Sequence, residues 1–238
     1  LLFRIIDATF LYLLIFGILL TKSRGALLTF LFMLAVFIFL RFNKKIAVIG
    51  LVILPLLFSL FSSGRLAEMD SSEASAHERT WLWEQGLKFA EENPILGIGK
   101  GKFSSETGLI AHNNFVSSLA EMGFTGLFIY VSIGYLSLMC CFITMKKLKS
   151  IGRRDELFYM SRVVFILTSA FYAATFFVIM EGDMLFVIWA LCACIYIIAR
   201  NEIMDMPNIL SKQSWLHIAL SSFFIAAMIW LIAEKEII

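Results

Sequence analysis

The chain has 238 residues, of which 60% are hydrophobic and only 16% charged, with a mean hydropathy of +0.87. Such a composition excludes a water-solvated globule: most of the chain is solvated by lipid tails, and the fold class is all-α, a polytopic bundle of transmembrane helices. A formal net charge of only +2 argues against a nucleic-acid partner and leaves the distribution of charge as the informative quantity.

Seven apolar runs read as spanning helices, at residues 3–20, 26–40, 46–61, 114–144, 157–179, 184–199 and 215–232. Residues 1–61 therefore carry three helices, 62–113 a loop and 114–238 four more, in one integrated membrane domain. No charged n-region precedes the first run, so no signal peptide is read and the natural chain is expected to begin upstream of Leu1.

The second run is short: fifteen residues reach only ~22 Å against a hydrocarbon core of ~30 Å. The segment "TKSRG" at 21–25 is then drawn down to headgroup level, with Arg24 at the boundary. There it either snorkels to a lipid phosphate or serves a dedicated site.

Basic residues gather in alternate loops, first Arg41, Lys44 and Lys45, then Lys146, Lys147, Lys149, Arg153 and Arg154. The positive-inside rule puts these in the cytoplasm. Residues 21–25, 62–113 and 181–183 fall outside, and the long loop has five basic against eight acidic groups over 62–111, as an exported loop can.

That loop is too short for a core of its own and must pack on the membrane bundle. Residues 62–74, rich in Ser, Gly and acids, read as irregular; Ser75 to Glu92 reads as an amphipathic helix near the interface, ended by Asn93-Pro94. "PILGIGKGKF" at 94–103 matches neither a Walker A nor a dinucleotide fingerprint. It reads as a compact turn needing positive φ, whose amides with Lys100 and Lys102 can also form an anion-binding nest.

The fourth run, 114–144, would extend ~46 Å as a straight helix, so its first turns project above the bilayer. His112, Asn113, Asn114 and Glu121 are thereby placed at or above the outer interface, and either asparagine is a natural N-cap. Glu121 stands nine residues beyond His112, on the opposite side of an ideal helix, so the two are not paired unless the helix breaks between them. Cys140, Cys141, Cys192 and Cys194 fall inside apolar helices and read as small buried hydrophobes without a disulfide framework. His77, His112 and His217 are scattered without ligand spacing, so neither metal nor cofactor is expected.

Arg24, Arg65, Arg79, Lys100, Lys102 and His112 thus fall on one side of the membrane, which suits a diphosphate lipid. Arginine recognises phosphate in bidentate fashion, and two arginines can neutralise the charge of a departing diphosphate. An imidazole at His112 can take a proton from an attacking hydroxyl.

The segments "TKSRGALLTFL" (21–31), "ERTWLWEQGLKFAEENPILGIGKGKF" (78–103) and "HNNFVSSLAEMGFTGLFIY" (112–130) together resemble the O-antigen ligase and O-antigen polymerase superfamily. The resemblance spans about residues 21–145, and it is the order of four short motifs that makes it specific. It implies metal-independent glycosyl transfer on the outer face of the bacterial cytoplasmic membrane, from an undecaprenyl-diphosphate-linked oligosaccharide to a hydroxyl of a glycan or lipid-core acceptor. Carried over by residue, Arg24 and Arg79 would hold the diphosphate and His112 would act on, or orient, the acceptor hydroxyl. Asn113 and Glu121 would support them, with Lys100 and Lys102 near the donor; Arg65 is added on charge and side alone. Lys100 departs from the uncharged residue expected between the glycines.

Ligase and polymerase share the donor and differ in the acceptor; Ser23-Arg24-Gly25-Ala26 and the single moderate loop favour a ligase. A flippase or transporter is the alternative of another class. It would need ionisable groups at mid-membrane depth, whereas Asp7, Arg162 and Glu181 are read near helix ends.

Overall fold

The computed structural model describes residues 2–21, 23–42, 69–179 and 182–234. Eight helices occupy the described residues: α1 (Leu2–Leu20), α2 (Arg24–Arg41), α3 (Met69–Glu92), α4 (Lys102–Thr107), α5 (Asn114–Ser150), α6 (Glu156–Ala174), α7 (Gly182–Glu202) and α8 (Lys212–Glu234). Among the described residues, four stretches are long and apolar enough to cross a membrane: Asn114–Ser150, Glu156–Ala174, Leu185–Glu202 and Lys212–Ile232. Shorter apolar segments, Ala8–Ile18 and Gly25–Arg41, form the bodies of α1 and α2. The protein is a helical membrane bundle, and the run expected at 46–61 lies outside the described residues.

Helix α5 is the axis of the bundle, touching α3, α4, α6, α7 and α8, while α2 lies along α6 and α1 packs on α2. Leu82 and Ala90 of α3, Phe115, Leu119 and Leu127 of α5 and Ile229 of α8 build the main core. Phe115 stacks on Phe176 with centroids 4.3 Å apart and meets Tyr130 edge-on at 5.0 Å. Burying side chains of this size is worth ~1.5–3 kcal/mol each against exposure to water, so the core fixes how α3 and α6 meet α5.

Three expectations change. The helix read at 114–144 runs from Asn114 to Ser150 and is broken at Gly123, where φ 64 and ψ −163 depart from helical values. The helix read at 157–179 stops at Ala174, because the chain turns at Thr175, whose carbonyl accepts the Asn114 amide at 2.9 Å. Residues 69–74, read as irregular, belong to α3. No Gly or Pro lies between 65 and 85, so nothing local stops the helix from extending backwards.

The chain direction defines two ends. Helices α2 and α5 start at the end that holds Arg24 and Asn114, and α6 starts at the other and returns to Thr175. The loops that the charge pattern grouped together, around Arg41 and around Lys149 to Arg154, do meet at that second end.

Candidate active site

The first end is organised by the break in α5. With Gly123 outside the helix, the carbonyls of Ala120 and Glu121 and the amides of Phe124 and Thr125 lose their partners four residues away. The loop 94–99 supplies replacements strand-fashion: the amides of Ile98 and Gly99 donate to Ala120 and Glu121 at 3.0 and 2.9 Å. In return, the amides of Phe124 and Thr125 donate to Pro94 and Ile95 at 2.8 and 3.4 Å. Only glycine permits so close an approach: a Cβ on Gly123 would lie 2.5 Å from the Ile95 carbonyl carbon, and one on Gly97 2.4 Å from the Glu121 carbonyl carbon. The glycine-rich loop is therefore a plug in a broken helix, and its positive φ values at Gly97, Gly99 and Gly101 follow from that job.

Glu121 sits beside the break and is 5% exposed. One oxygen takes the Lys100 ammonium at 3.0 Å and the other the Phe103 amide at 3.3 Å, in the first turn of α4. The lysine that looked out of place between glycines is the counter-ion of a buried carboxylate. Lys102, by contrast, is exposed at the start of α4. The break falls beyond Glu121 and does not turn it toward His112.

His112 precedes α5 with φ 50, the one described non-glycine residue in the left-handed region. Both of its neighbours are fixed. Asn113 is fully buried and caps α5, its Oδ1 accepting the amides of Phe115 and Val116 at 2.9 and 3.3 Å; its Nδ2 is buried without a partner among the described residues. On the other side, the Trp83 indole donates to the Ala111 carbonyl at 3.2 Å. A strained residue clamped from both sides presents its side chain in a set direction, as strained residues at functional sites often do.

Trp83 also carries α3 to this corner. Arg79 lies one turn earlier on the same face of α3, is half-buried, and has no carboxylate partner among the described residues. The N-terminus of α2 closes the corner from the third side: a Cβ on Gly25 would come 2.8 Å from Cβ of Phe177. Phe177 follows Thr175, which holds Asn114, and Ser23 caps α2 by accepting the Ala26 amide at 3.2 Å. The backbone of Arg24 is thus delivered to the same corner as His112; Arg24 is described by its backbone, and Arg65 lies outside the described residues.

Beside the corner lies an apolar cavity of about 670 Å³, walled by Trp83 and Phe115 at the site and by Phe32 of α2, Leu138 of α5 and Ile232 of α8. Trp83, a bridge between α3 and the histidine loop, was visible in the sequence only as part of a motif and had no assigned role.

A sequence model of the family described as O-antigen ligase matches residues 9–131, slightly more than half of the chain and all of this corner up to Tyr130. The chain belongs to the O-antigen ligase family. No curated protein and no solved structure matches it significantly. Membership makes the protein a multi-pass membrane protein of a glycosyl-transferring family that works on lipid-linked glycan. Beyond the matched residues, Thr175 and Phe176 after α6, Leu185 of α7 and Ile229 of α8 pack against this corner and its core.

Proposed function

We propose that this O-antigen ligase family member transfers a glycan from undecaprenyl diphosphate to an acceptor hydroxyl on the outer face of the bacterial cytoplasmic membrane. The observation that carries the reading is the corner itself: an arginine with no carboxylate partner among the described residues, on the helix face whose tryptophan holds the loop of His112, beside an apolar cavity. Arg79, with Arg24 arriving on α2, grips the diphosphate and takes up the charge that develops as it leaves. The isoprenoid enters the cavity beside Phe32 and Phe115. No metal is needed for this step, because the guanidinium groups supply the positive charge.

In the reaction the acceptor oxygen attacks the anomeric carbon, the bond from that carbon to the diphosphate oxygen breaks, and undecaprenyl diphosphate departs. The hydroxyl proton passes to the His112 imidazole. Glu121 acts at a distance by holding Lys100 and α4, and Asn113 by fixing the start of α5.

The test places the full-length protein in proteoliposomes with purified undecaprenyl-diphosphate oligosaccharide, wild type beside Arg79→Ala, and reads glycan transfer on gels. Arg79-dependent transfer to an added lipid-core acceptor, with no ladder in its absence, is the expected result and defines a ligase. A ladder without a second acceptor would make it a polymerase, which the shared donor keeps as the second reading. No transfer in either case would return the protein to the transporters, and normal turnover by Arg79→Ala would remove the diphosphate role.

A further inference from the structure

At the end of the bundle opposite the candidate active site, α2, α5 and α6 enclose a cavity of about 480 Å³. Among the described residues five cations line it, Arg41 at the end of α2, Lys146 and Lys149 at the end of α5, Arg154 in the following turn and Arg162 in α6, and no carboxylate does. The ion pairs described at this end go to another arginine: Asp155 and Glu202 both bind Arg153, which does not line the cavity. In the sequence Lys44 and Lys45 follow Phe42, and the first carboxylate after them is Glu68.

The positive-inside rule accounts for lysines and arginines in the connecting turns. It does not account for Arg162. This residue is the seventh of α6, about 9 Å along the axis from the helix start, within a membrane-spanning segment. Its guanidinium carbon stands 5.9 Å from the Phe37 ring centroid, and its Nη2 is buried with no hydrogen-bond partner among the described residues. A buried charged donor without an acceptor is costly, and four further cations around the same space raise that cost.

We propose that this cavity binds the phosphate headgroup of an anionic phospholipid from the leaflet at that end of the bundle. A phosphodiester supplies what the walls lack, negative charge and several acceptor oxygens, one of them for Arg162 Nη2. The remaining walls are apolar, among them Phe39, Phe142 and Phe158, and match the glycerol backbone and first methylenes of an acyl chain. A soluble anion would leave those rings uncovered. The proposal rests on this geometry and is independent of the transfer reaction at the other end.

The test purifies the full chain from nanodiscs of phosphatidylcholine with a minor fraction of phosphatidylglycerol and counts bound phospholipid by native mass spectrometry after a detergent wash. Wild type is expected to retain phosphatidylglycerol in preference to phosphatidylcholine, and excess inorganic diphosphate should not displace it. Arg162→Gln, and independently Lys149→Gln at an exposed position that folding does not depend on, should each lower retention about fivefold. Retention unchanged in Lys149→Gln and in a folded Arg162→Gln would overturn the proposal. Equal retention of phosphatidylcholine would overturn it too, and displacement by diphosphate would make this a site for soluble anions instead.

Discussion

Lys100 at one end of the bundle and Arg162 at the other are both cations among glycine-rich or apolar neighbours, and the protein treats them in opposite ways. Lys100 is 75% exposed at its side chain, yet it is tied to a carboxylate that is almost fully buried. Arg162 reaches into the bundle and, among the described residues, meets four more cations and no carboxylate. At the first end the chain neutralises its own charge in order to hold a broken helix and a loop in register. At the second it leaves positive charge for something else to neutralise. Arg79, without an ion-pair partner among the described residues, resembles Arg162 in this rather than Lys100, and on both proposals such free cationic charge meets phosphate.

The sharpest way to break the first end is Gly123→Ala. The native φ and ψ lie in a region that is essentially restricted to glycine, and the added methyl would overlap the carbonyls of Pro94 and Ile95. Strain and overlap together should cost roughly 2–5 kcal/mol, seen as a large fall in the thermal midpoint in detergent with loss of transfer. An unchanged midpoint would mean that the loop does not plug the break.

His112→Asn comes next, and it separates chemistry from folding. Asparagine tolerates the left-handed region, so the midpoint should hold. Without the imidazole the transfer rate should fall roughly 10²–10⁴-fold, and the pH dependence should change. A small loss with the same pH profile would leave His112 a positioning residue.

The apolar runs at 26–40, 184–199 and 215–232 are found as helices within a few residues, since lipid-facing helices must advertise themselves by composition. An asparagine N-cap was equally legible, being a local signal, although the sequence left Asn113 and Asn114 both open and the structure gives the role to Asn113. Gly123 was not. Apolar residues continue on both sides of it, and what permits the break is a set of hydrogen bonds from a loop more than twenty residues earlier. Lys100 stood out in the sequence as a misfit among glycines, but Glu121 was read as a supporting residue of the site and not as its partner, because pairing across 21 residues leaves no periodic trace. The cavity around Arg162 was hidden for the same reason: Arg41, Lys149 and Arg162 sit on three helices, and the charge pattern could place them at one end without placing them around one space.

Glu121 offers a finer probe of the first end, because its two contacts can be removed separately. Glu121→Gln keeps an acceptor for the Phe103 amide and loses the charge that holds Lys100. Lys100 is largely exposed, so water screens much of the attraction, and the expected loss is no more than about 1 kcal/mol. Glu121→Ala also orphans the Phe103 amide in a buried position, which should add about 1–3 kcal/mol. If both variants cost the same, the ammonium alone matters and the cap on α4 does not.

The smallest effect is expected where the second end does neutralise its charge, and its pH dependence has a definite sign. The Arg153 guanidinium hydrogen-bonds Asp155 and, as the largest cause, holds its carboxyl below the ordinary value of 3.8. Asp155 also caps α6 by accepting the Phe158 amide at 3.2 Å. A carboxyl whose pKa is depressed by folding contributes stability that is fully present above its unfolded value and is lost as pH falls through the folded one. Asp155→Asn retains a good cap and removes only the ion pair. Its midpoint should therefore sit slightly below wild type at neutral pH, and the two should converge on acidification below about pH 4. A gap that persists in acid would assign the contribution to cap geometry rather than charge, and Arg153 would then lose its standing as the neutralised counterpart of Arg162.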